Sequence, residues 1–106
     1  MTQNTNHYLS WIDVYNELHC ELLTVSKKNI TVGRSDQADV EVFNTSVSRN
    51  HLEITWHHGQ LQVIDLGSSY GTWIDGDQLV PQEPQLLLVD TEIKLGNLSM
   101  WYELRR

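Results

Sequence analysis

Three short segments carry the residues that could do chemistry: Gly33-Arg34, Ser48-Arg49-Asn50-His51, and Gly67-Ser68-Ser69-Tyr70-Gly71-Thr72. Each offers small hydroxyls, backbone amides or a guanidinium, and each lies beside a run that reads as a strand. A phosphate monoester carries roughly two negative charges and three strong acceptor oxygens. An arginine fork, hydroxyl donors and free backbone amides are the groups that hold it. No acid–base pair or metal set accompanies them, so the pattern suits holding an anion better than breaking a bond. Ser48, His51 and Asp65 invite comparison with a catalytic triad, but there is no Gly-x-Ser-x-Gly elbow to strain and expose a nucleophile. His57 and His58 would point to opposite sides if both stood in a strand, and they have no partner cluster, so a hairpin tip is expected there and not a metal site. No catalytic residue, metal or cofactor is implied, and the chain is not expected to be an enzyme.

At 106 residues the chain is one domain's worth. Its 40% hydrophobic content is ordinary for a globular core. The net charge of −7 argues against general nucleic-acid binding, which needs a basic face. An anion site in such a chain must be local, and Arg34 and Arg49 both fall in the candidate loops. No apolar run approaches the ~20 residues of a membrane span. Met1 to His7 is polar and lacks the basic and apolar regions of a secretory signal. A reducing, cytoplasmic setting is expected. Cys20 is the lone cysteine, so no intrachain disulfide or Cys-based zinc site exists; in its apolar run it reads as a buried small residue.

Strand signals dominate the elements that must position these groups. Strands are expected over Leu9 to Tyr15 and His19 to Val25. Ile30 to Val32 ends at Gly33, and Asp39 to Phe43 places Val40 and Val42 inward. Leu52, Ile54 and Trp56 alternate with Glu53, Thr55 and His57, and Leu61, Val63 and Asp65 with Gln62 and Ile64, across a His58-Gly59 turn. Thr72 to Ile74 and Gln78 to Val80 flank Asp75-Gly76, a stronger hairpin signal. Pro81 to Pro84 breaks regularity. Glu92 to Leu95 and Leu98 to Leu104 flank Gly96-Asn97. Trp56, Trp73 and Trp101 read as core or sheet-face aromatics. About eleven short strands at this spacing indicate an all-β sandwich, and no amphipathic helix competes.

The ordered runs Ile30-Thr31-Val32-Gly33-Arg34-Ser35, Ser46-Val47-Ser48-Arg49-Asn50-His51 and Asp65 through Gly76, with Asp90 to Gly96 near the end, resemble a forkhead-associated (FHA) domain. The resemblance covers nearly the whole chain from about Leu9 onward. It implies an eleven-stranded β-sandwich over residues 9–106, after a polar tail of residues 1–8, with binding loops at one end. It implies binding of phosphothreonine-containing partner proteins in signalling or regulated assembly; from charge and apolar run length, no nucleic acid and no membrane are expected as partners. By motif matching, Arg34 would contact the phosphate and adjacent peptide backbone, and Ser48 would hydrogen-bond the phosphate. Arg49 would touch the peptide, and Ser69 would lie near the phosphate and the threonine methyl. Gly33, His51 and Gly71 would support the site, with His51 bracing the loop.

One departure matters. The family usually carries Asn where this chain has Tyr70, and that Asn pins the peptide backbone through its amide. A phenol lacks the paired donor and acceptor. The alternative is therefore a phosphate-independent interaction domain or scaffold with a degenerate site. Asp75, where Asn is common, is a milder change, since both suit the turn. The chain reads as one trimmed domain or as the N-terminal module of a larger protein or complex.

Overall fold

A computed structural model describes residues 6–24 and 27–105. It holds eleven strands: β1 (Asn6–Ile12), β2 (Leu18–Leu23), β3 (Asn29–Gly33), β4 (Val40–Glu41), β5 (Leu52–His57), β6 (Gln60–Asp65), β7 (Thr72–Ile74), β8 (Asp77–Gln78), β9 (Gln85–Leu87), β10 (Thr91–Leu95) and β11 (Leu98–Arg105). A six-stranded sheet, ordered β2-β1-β11-β10-β7-β8, faces a five-stranded sheet, ordered β4-β3-β5-β6-β9. Neighbours pair antiparallel, except that β3 and β4 run parallel.

Period-two alternation sets the register. Ile54 lies opposite Val63, and Leu52 opposite Asp65. Leu52, Ile54, Leu61, Val63, Ile93, Leu95 and Met100 are buried between the sheets, with Trp56 and Ile74 packed at the margin. Each such aliphatic side chain contributes about 1.5–3 kcal/mol relative to exposure. Asp75 and Gly76 take φ of 47° and 87°, the paired positive values of a tight turn that matches strand twist.

The structure departs from the expectations at several places, and the strands expected over Asp39 to Phe43 and Gln78 to Val80 are only Val40–Glu41 and Asp77–Gln78. The first strand ends at Ile12, not Tyr15, because the Asp13 carboxylate accepts the amides of Tyr15 (2.8 Å) and Glu17 (2.9 Å) and turns the chain. The second strand is Leu18–Leu23; Val25, expected within it, lies outside the described residues. β9 has no sequence signal: three residues directly after Pro84 carry no readable period. Cys20 is exposed, not buried, because β2 is the outermost strand and the outer face of its sheet is open. Among the tryptophans, Trp101 lies on a sheet face, 42% exposed, and Trp11 is a core residue.

Candidate anion-binding site

The loops that follow β3, β4 and β6 meet at one end of the sandwich. Gly33 closes β3, and three hydrogen bonds tie its surroundings down. Arg34 N donates to Ser48 O (3.0 Å), Ser35 N to Arg49 O (3.1 Å), and Val42 N to Gly33 O (2.9 Å). The backbones approach so closely that a Cβ at Gly33 would sit 2.1 Å from the Arg49 carbonyl oxygen. Glycine is therefore a packing requirement at this position.

The exposed Arg34 side chain is aimed by its own Nε, which donates to Val47 O at 3.0 Å. Its Nη groups have no protein partner among the described residues, and Arg34 is one of the residues lining a cavity among these loops. Ser48 is fixed at both ends. Its amide donates to His51 Nδ1 (2.9 Å), and its Oγ accepts the Ser69 amide (3.0 Å). The Ser48 hydroxyl proton stays available for an anion.

His51 is the brace. It is fully buried. Because Nδ1 accepts from Ser48, the ring proton sits on Nε2, which donates to Gly71 O (2.9 Å). Gly71 O also accepts the Gly96 amide (3.0 Å), which ties the loop between β10 and β11 to the same point. Burial holds the imidazole below its usual pKa, against opposing effects of Gly71 and Asp65. The neutral ring is the form that both bonds require.

Asp65 organises the third loop. Oδ1 accepts the amides of Gly67 and Ser68, both at 2.8 Å. Oδ2 accepts the hydroxyls of Ser68 and Thr72, both at 2.6 Å. Burial pushes its pKa up, but these four donors outweigh burial and hold it below the usual carboxylate range. Ser48, His51 and Asp65 do not assemble as a triad: the Ser48 hydroxyl meets Ser69, and His51 meets backbone groups.

Arg34, Ser48, Arg49, Ser69 and Tyr70 line one cavity of about 240 Å³, together with Thr45, Ser46 and Val47. Among the described residues, the two arginines are the only charged groups lining it, in a chain of net charge −7. Tyr70, 64% exposed, also borders a neighbouring cavity of about 530 Å³ with Thr45, Ser46, Gly96 and Asn97. Three contributors were not singled out from sequence. The Val47 carbonyl is backbone and leaves no residue signature. The role of Asp65 as a hub was readable only as an acid followed by small donors. Ser46 and Asn97, whose side chains meet at 2.8 Å, come from segments 51 residues apart. Among the described residues no group of three or more His, Cys, Asp or Glu is arranged to hold a metal ion.

Comparison with known proteins places this geometry. The chain is 31% identical over 70 residues to the oxoglutarate dehydrogenase inhibitor of Corynebacterium efficiens, covering 66% of this chain and 47% of that protein. It is 32% identical over 88 residues to the human nuclear inhibitor of protein phosphatase 1, covering 80% of this chain and 25% of that one. The chain thus spans about half the length, or less, of these curated relatives. In fold it is similar to the N-terminal FHA domain of yeast Rad53p, solved with a phosphothreonine peptide, at TM-score 0.77 and 23% identity over 92% of this chain and 94% of that one. The FHA domain model matches residues 30–96, from the strand before Arg34 to the turn after β10, and the chain belongs to the FHA domain family.

Proposed function

We propose that this chain is a phosphothreonine-dependent protein-binding module acting in the cytoplasm. Arg34 and Ser48 hold the phosphate, Arg49 engages the peptide, and Ser69 lies beside the phosphate and the threonine methyl. The observation that carries this reading is the double tether at the cavity. Arg34 Nε is fixed to Val47 O, while the Ser48 oxygen is fixed to the Ser69 amide. Both leave their remaining donors without a protein partner among the described residues, so little reorganisation is needed to receive an anion. The FHA domain of FhaA, solved with the intracellular domain of Rv3910, is 25% identical to this chain and supports a protein partner. Catalysis is no part of this reading.

A second reading, a phosphate-independent interaction surface, rests on Tyr70, exposed where the family's Asn pins the peptide. Titration with a degenerate phosphothreonine peptide library and its unphosphorylated twin separates the two. Selective capture of the phosphorylated set is expected; equal capture, or none, removes the first reading.

A further inference from the structure

β2 is an outermost strand that pairs only with β1 among the described residues. Its free edge can be read from the ladder. Asp13 N donates to Glu17 O at 2.9 Å, in register with the β1–β2 pairing. Hydrogen-bonded pairs recur at every second residue of an antiparallel ladder. Counting from that pair, His19, Glu21 and Leu23 turn their peptide groups toward β1. Leu18, Cys20 and Leu22 therefore present theirs to the open edge.

The side chains of those three residues also stand on the outer face. Leu18 is 73% exposed and Leu22 51%, beside Ile12 at 51%. Sheet edges are ordinarily protected by shortness, lysine, proline or a bulge. The other outermost strands, β4, β8 and β9, are two or three residues long. β2 has six residues and neither lysine nor proline; its one carboxylate, Glu21, lies opposite core Leu9 and would have to be matched by any strand added at this edge.

Charge then selects an occupant and a register. In an antiparallel pairing of β2 with itself centred on Cys20, Leu18 meets Leu22 of the second copy and His19 meets its Glu21. Centred on Glu21, two carboxylates would oppose one another; centred on His19, Glu17 would oppose Glu21. Like charges directly opposite are destabilising, and opposite charges or apolar pairs are favourable. We propose that two copies of this chain pair through β2, antiparallel and centred on Cys20, joining their six-stranded sheets into one. No lining residue of the anion cavity lies in β1 or β2, so both cavities stay open.

Sedimentation velocity in reducing buffer tests this across micromolar to millimolar protein. A dimer is expected, weakened at least tenfold by Leu22→Lys and by Glu21→Lys, two exposed positions. Facing Cys20 residues would lie about 5.5 Å apart between Cα atoms, within disulfide range. Diamide, which takes two electrons and two protons from the two thiols, is expected to give a covalent dimer from the parent chain but not from Leu22→Lys. A chain that stays monomeric throughout, or a dimer that survives both substitutions, overturns the proposal.

Discussion

Gly33→Ala is the substitution for which the structure sets the clearest magnitude. The new methyl would lie 2.1 Å from Arg49 O, 2.8 Å from the Arg49 carbonyl carbon and 2.9 Å from Ser48 O. The first is more than roughly 1 Å inside ordinary van der Waals contact. All three obstacles are backbone, so no side chain can swing aside. Relief requires parting the strand end from the loop, which strains the bonds Arg34 N to Ser48 O and Ser35 N to Arg49 O. Overpacking costs about 1–3 kcal/mol, and two bonds at ~0.5–1.5 kcal/mol each bring the sum to about 2–6 kcal/mol. That is a large share of the 5–15 kcal/mol typical of a domain. At ~4–8 °C per kcal/mol for domains of about this size, thermal unfolding followed by circular dichroism should shift down by roughly 10 °C or more. Gly76→Ala is the control. Gly76 has φ +87° and nothing within 4 Å of its Cβ direction, so only the left-handed conformation costs, ~1–2 kcal/mol. A Gly33→Ala protein no less stable than Gly76→Ala would refute the close-approach reasoning.

Other expectations follow from the same contacts. Burial depresses the pKa of His51 and of His7, so the unfolded chain takes up protons below pH ~6.5 before the native state does. Their contribution to stability is present above that pH and is lost as pH falls toward the folded values; Tm measured from pH 7.5 to 5 should decline, and less steeply in His51→Asn. Asp65→Asn removes charge from an acceptor of four hydrogen bonds and should cost ~1.5–3 kcal/mol in urea unfolding; a cost under about 0.5 kcal/mol would contradict the hub. Tyr70→Asn, at a 64% exposed position, should leave stability unchanged and raise phosphopeptide affinity by roughly three- to tenfold, the worth of one neutral hydrogen bond. Calorimetric titration checks it, and a fall in affinity would make Tyr70 itself a contact.

Sandwich class and hairpins were legible because burial imposes period two on β5, β6, β10 and β11, and because Asp75-Gly76 has few other conformations. β9 was not, since Gln85–Leu87 is too short for a period to emerge. Cys20 was misread because an edge strand with an open outer face can be as apolar as an inner one. At the site, Arg34, Ser48 and His51 could be singled out by their chemistry, and the fold gathers them in one cluster of loops. What aims them could not. The Val47 carbonyl that fixes Arg34 belongs to any residue, and the Ser46–Asn97 contact joins loops that only the folded sheets bring together.

The central claim is that Arg34 and Ser48 receive a phosphate. Its most direct test is a nuclear magnetic resonance titration of isotopically labelled chain with a library-selected phosphothreonine peptide and its unphosphorylated twin. The account predicts shifts of the Arg34 Nε–H and of the Ser48 and Ser69 amides with the phosphopeptide alone. Arg34→Ala should weaken that binding by about 1.5–3 kcal/mol, roughly 10- to 150-fold. Equal shifts with both peptides, or phosphopeptide shifts that leave Arg34, Ser48 and Ser69 unmoved, would contradict it.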